Sequence, residues 1–217
     1  AMVIFLSPIM GYASSYVLQN ATYTWMNPVT IGFTQINNAG DLKTDNNASH
    51  MLTTTKQEST GALPIQIHLS DNGVNLNGGN WFTSFCVDIY QDISAKTYNT
   101  PVSLVAPSAV YGGLQAAWLY EKYYKAGDTA AIGGLQIAIW ETVVDDYKNY
   151  DLTKGNFYIA NNSLNAAALA KANTFLTDLK TNFDPTGLNS MYAIMHSIGI
   201  QDQLIKLSLP GVGDPAG

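Results

Sequence analysis

One cysteine in 217 residues, Cys86, excludes an intrachain disulfide. It leaves four roles open: packing, a free thiol, an intermolecular bridge, or a bond to a group that is not a cysteine. Charge is scarce as well, at 12% of residues, with a net charge of −6 and no cluster of basic side chains. Nucleic acid and anionic lipid are thereby excluded as expected partners, since both require cations against their phosphates. The longest N-terminal apolar stretch, Met2 to Leu6 followed by Pro8 to Gly11, falls far short of a bilayer span, so no integral membrane segment is expected. His50, His68 and His196 are scattered without the spacing of a zinc site. Asp145, Asp146 and Asp151 lack the ordered oxygen donors of a calcium loop. Neither a Walker-type phosphate loop nor a Gly-x-Ser-x-Gly element occurs, which leaves nucleotide hydrolysis and esterase chemistry without local support. No metal and no cofactor is expected.

Asn, Thr, Ser, Gly and Tyr are plentiful instead, so the surface is built from neutral hydrogen-bonding groups. That texture is common in secreted bacterial surface proteins, and a secreted, extracellular or cell-surface location is expected. Residues 1–13 read either as a signal-peptide remnant or as an apolar assembly arm that completes the sheet edge of a neighbouring subunit. Residues 14–209 read as one domain and 210–217 as a C-terminal tail. Sequons at Asn20, Asn47 and Asn161 matter only in a host that glycosylates.

Strand patterns occupy residues 15–18 and 29–34, with turn formers at Asn27-Pro28 between them. Residues 37–62 are polar and read as a long loop with at most one hairpin. Leu63, Ile65, Ile67 and Leu69 alternate on one strand face, and Trp81 to Tyr90 is the longest β-prone run. Three helices are predicted after Pro107: one capped by Ser108 and running to about Tyr124, one capped by Asp128 and running to about Tyr147, and one capped by Ser163 and running to about Phe183. Strand pattern returns at 191–195 and 203–209. The expected fold is α+β: a β-sandwich or barrel-like scaffold with a three-helix insertion, about 108–183, between the cysteine-bearing strand and the C-terminal strands.

The segment Gly112-Gly113-Leu114-Gln115-Ala116-Ala117-Trp118 is echoed by Gly133-Gly134-Leu135-Gln136-Ile137-Ala138-Ile139-Trp140. In the second copy Gln and Trp are four apart and share a helical face. A thiolate that attacks a glutamine amide expels ammonia and leaves a thioester, and two such groups held in contact need no cofactor. Phe85, Ile139 and Trp140 would exclude water from the product. A buried cysteine that only packs is the other reading of Cys86.

The pair Phe85-Cys86 on a strand and the later helix Leu135-Gln136-Ile137-Ala138-Ile139-Trp140 resemble the thioester domains of bacterial surface adhesins, over roughly residues 80–150. Similar motifs occur in secreted Gram-negative proteins with a Pro-Glu-Pro sorting signal; the C-terminal residues 211–217 lack its Glu, membrane helix and basic tail. The resemblance implies a Cys86-Gln136 thioester attacked by an amine, a lysine of a partner protein, in covalent adhesion rather than enzymatic turnover. Glu141, with Asp88 behind it, is the nearest candidate base for the amine, the other reading being that the two are ordinary helix-surface and strand-end carboxylates, and Gln115 is a rival acyl donor. A different-class alternative is a structural subunit of a filament or matrix, a homopolymer joined through the N-terminal arm, with Cys86 packed or acting as a staple. Lys206, between apolar neighbours, is a separate candidate for an isopeptide cross-link.

Overall fold

The computed structural model describes residues 16–44, 51–145, 147, 149–161 and 165–207. The expected N-terminal arm and C-terminal tail, His50, the sequon at Asn47, Asp146 and the Ser163 cap lie outside them. Ten strands and four helices follow in the order β1 (Tyr16–Thr22), β2 (Pro28–Ile36), β3 (Met51–Gly61), β4 (Ile65–Asp71), β5 (Val74–Asn75), β6 (Phe82–Cys86), β7 (Lys96–Val105), α1 (Gly113–Tyr123), α2 (Thr129–Val144), β8 (Phe157–Asn161), α3 (Ala166–Asn182), α4 (Leu188–Met191), β9 (Tyr192–Ser197) and β10 (Ile200–Lys206).

The fold is α+β, with a barrel-like scaffold. Strands pair antiparallel in the order β1-β7-β9-β10-β6-β4, and β4 pairs back onto β1, which closes a six-stranded barrel; β5 extends β4 as a short hairpin. A second sheet, β3-β2-β8, packs with the helices outside the barrel. The consecutive apolar residues of β9 show why its sequence does not alternate. Ala193 and Met195 fill the barrel interior, while Tyr192 and Ile194 join the core formed with the helices and β2. Successive strand residues point to opposite faces, so a wall buried on both sides is apolar throughout.

Helix α2 is the axis of the outer core, and every residue from Ala131 to Val144 is buried. A helix apolar on all sides belongs in an interior. Asp128 caps it by accepting the Ala131 N–H at 2.9 Å. Helix α3 is amphipathic and buries Ala168, Ala172, Phe175, Leu176 and Leu179. The helices approach closely through glycine. A Cβ on Gly134 would lie 2.5 Å from the Lys171 Cβ and 2.8 Å from the Ala168 carbonyl oxygen. Gly112, at φ 71°, sits against the Thr142 carbonyl, where a Cβ would come within 2.0 Å.

Several sequence expectations are corrected. Residues 37–62 are not one long loop, because Met51–Gly61 forms β3, paired along β2. Residues 54–57 of this edge strand are all exposed, so no apolar alternation marks it. The inserted region is not purely helical: β8 lies between α2 and α3 and pairs with β2. Strand β7, with Pro101 inside it, carries no apolar run either. Helix α1 starts at Gly113, and Ser108 belongs to a 3-10 turn, Pro107–Ala109. Helix α2 stops at Val144, short of Tyr147, and Asn165 caps α3 by accepting the Ala168 N–H at 3.3 Å.

Candidate functional site

Strand β6 ends at Cys86, opposite Gln203 of β10, and α2 crosses its end. The side-chain amide of Gln136 docks on the main chain of Cys86 at two points. The Cys86 N–H donates to Gln136 Oε1 at 3.0 Å, and Gln136 Nε2 donates to the Cys86 carbonyl at 2.9 Å. One helical turn on, the Trp140 indole N–H donates to Cys86 Sγ at 3.2 Å. The four-residue spacing puts Gln136 and Trp140 on one face of α2, so one helix carries both contacts. All three residues are at least 97% buried.

Each contact has a chemical consequence. An N–H on Gln136 Oε1 polarises the amide carbonyl and stands where a tetrahedral intermediate would place its oxyanion. The indole N–H favours negative charge on sulfur. Burial works against it and, with the nearby Asp88 carboxylate, pushes the Cys86 thiol far above its ordinary range, so the resting group is a thiol that donates to the Asp88 carbonyl at 3.0 Å.

The three side chains line a cavity of about 250 Å³ between the barrel and β3. Its buried walls include Leu63, Ile65 and Ile93. Its more exposed members are Tyr23 and Trp25 from the β1-β2 turn, Glu58 from β3 and Asp92. A larger depression of about 680 Å³ runs along α3 past Tyr123 and Asp178, and none of these groups lines it.

The other expected site residues lie elsewhere. Phe85 faces the helical core, with edge-on contacts to Tyr120 and Tyr124 at 5.0 and 5.8 Å, and Ile139 is fully buried in the same core. Glu141, the nearest candidate base, does not line the cavity: its Oε1 accepts the Asp151 N–H at 2.6 Å, and its Oε2 is buried with no hydrogen-bond partner among the described residues. Burial, then the charge of Asp145, raises its carboxyl to about 8. Asp88 shapes the turn after β6, accepting from the Tyr90 N–H and Gln91 Nε2 at 2.8 and 2.9 Å, and burial raises it to about 6. Gln115 lies half-buried on α1, away from the cavity. Lys206 is exposed and pairs with Glu121 at 2.9 Å, which removes the isopeptide reading. Asp145 accepts the N–H groups of Asn156 and Phe157, anchoring the segment that leads into β8. His196 pairs with Asp202 at 2.9 Å, and among the described residues no group of His, Cys, Asp and Glu could hold a metal.

The residues missed from sequence are those on the exposed side of the cavity. Tyr23, Trp25, Glu58 and Asp92 come from segments far apart in the chain and share no motif. The one available signal was Trp25, a large aromatic among turn residues, which is 57% exposed.

No family model matches the chain, and no curated protein does. Among solved structures it is similar to the N-terminal thioester domain of fibronectin-binding protein SfbI from Streptococcus pyogenes, at 13% identity and a TM-score of 0.45, over 97% of this chain and 100% of that one. A likeness of that degree adds nothing to what the side chains themselves say. No helix among the described residues is long and apolar enough to cross a membrane.

Proposed function

We propose that this chain is a secreted or surface-exposed adhesion module that forms a thioester between Cys86 Sγ and the Gln136 side-chain carbon and uses it to capture a primary amine of a partner protein. The carrying observation is the paired docking of the Gln136 amide on the Cys86 main chain, with the Trp140 N–H on the sulfur. In the forming step, a C–S bond replaces the C–N bond of the amide, and the thiol proton leaves with the nitrogen as ammonia. In the capture step, a neutral amine attacks the same carbon, the new C–N bond displaces sulfur, and the amine's proton returns to Sγ as the thiol. One bond is made per chain, so this is covalent attachment and not turnover. Polarisation at Oε1 serves both steps.

Peptide mapping after treatment with methylamine tests the reading. It predicts methylamide at Gln136, in a single peptide, and none in Cys86→Ala. Label absent from Gln136 in the native chain, or present equally in Cys86→Ala, contradicts it.

A further inference from the structure

The cavity beside Cys86, about 250 Å³, is below the size of sites that take drug-sized ligands. That is room for one unbranched side chain. Its walls combine buried apolar groups, Leu63, Ile65 and Ile93, with two more exposed carboxylates and an exposed indole, Glu58, Asp92 and Trp25. Lys56 stands at the same carboxylates. Its Nζ pairs with Glu58 Oε2 at 2.5 Å, and the Asp92 charge also acts on it. Among the described residues, two carboxylates therefore act on one cation, Lys56.

We propose that Glu58 and Asp92 form a recruitment site for the ammonium of an incoming lysine side chain, with Lys56 as its built-in competitor; the proposal rests on the thioester reading. An alkylammonium has the required shape, an apolar stem for the aromatic and aliphatic walls and a cationic head for the carboxylates. The head is held by the carboxylates, releases its proton to water, and the neutral amine then attacks the Gln136 carbonyl in the same cavity. Glu58 and Asp92 are positioning residues and touch neither reacting atom in the bond-forming step. They select among amines by charge.

The test compares two nucleophiles on the intact chain: cadaverine, a cation at neutral pH, and hydroxylamine, which is uncharged there. The readout is the ratio of their rates of thioester loss, followed by mass. Asp92→Asn and Glu58→Gln should each lower the cadaverine-to-hydroxylamine ratio by about two- to fivefold at low salt, the size of an exposed charge pair, and Lys56→Gln should raise it. Asp184→Asn, a carboxylate at the end of α3, is the control and leaves the ratio as it was. The native ratio should fall as salt is added. Ratios in the Asp92, Glu58 and Lys56 variants equal to that of the control overturn the recruitment site while leaving the thioester standing. A chain inert to both nucleophiles overturns the thioester and the recruitment site together.

Discussion

A thiol held protonated by burial is a poor nucleophile, so bond formation at Cys86 depends on placement rather than on ready ionisation. Placement comes from groups that can be removed singly. In a Cys86→Ala background, where no thioester can form and the Gln136 amide is retained, Gln136→Glu keeps the side chain's shape and an acceptor for the main-chain N–H of residue 86, but deletes the amide donor to that residue's carbonyl. It should cost about 1–3 kcal/mol in a urea titration, the penalty for a buried carbonyl left unpaired. An unchanged urea midpoint would show that the docking contributes nothing to stability. Trp140→Phe retains the ring and loses the N–H on sulfur. The fraction of natively purified chains that carry the thioester, read from intact mass, should fall, and a fraction equal to the native one contradicts a role for the indole. At this scale the sequence was informative: Cys86, Gln136 and Trp140 were legible because a lone cysteine and a four-residue helical spacing are local signals. Glu141 misled for the same reason. Adjacency to Trp140 along the chain puts it on a different side of α2, where it takes the Asp151 N–H.

Among the elements, α2 carries the site, so anything that lifts it from its neighbours displaces Gln136. Gly134 is the tightest point of its contact with α3. Alanine at an ordinary helix position is favoured over glycine by about 1 kcal/mol, but a Cβ here meets Lys171 Cβ and the Ala168 carbonyl. Gly134→Ala should therefore lower stability by about 1–3 kcal/mol in chemical denaturation, and a gain in stability would show that α3 yields freely. Helices α2 and α3 were legible from their apolar content and flanking breakers. Strand β3 was not, because polar, exposed Thr, Lys and Gln side chains on an edge strand look like loop. What makes it a strand is eight register pairs with β2, which no local pattern reports.

For the whole molecule, the buried acids set a direction for stability against pH. The folded state raises Glu141 from 4.5 to about 8 and Asp88 from 3.8 to about 6, both chiefly by burial. Across those intervals the folded chain holds protons the unfolded chain has released, so stability falls as pH rises. His196, raised by its bond to Asp202, works the same way: its contribution is complete below 6.5 and is lost as pH climbs through its folded value. Asp178, Asp151, Asp184 and Glu121 are lowered by hydrogen bonds and ion pairs, and their contribution disappears in acid. The melting temperature should therefore be higher near pH 5 than near pH 8, and Glu141→Gln should narrow the difference. A native melting temperature that rises over this range contradicts the account. Barrel closure and the mouth of the cavity were the least legible features, since they join residues from the β1-β2 turn, β3, the stretch after β6 and α2 that meet only in three dimensions.

The central claim concerns one covalent bond, and the intact mass of natively purified chain reads it directly. The account predicts a mass lower than the sequence mass by one ammonia, restored to the full value in Cys86→Ala and in Gln136→Ala after allowance for each substitution. A native chain at the full sequence mass, whose Cys86 is alkylated stoichiometrically once unfolded, would contradict it.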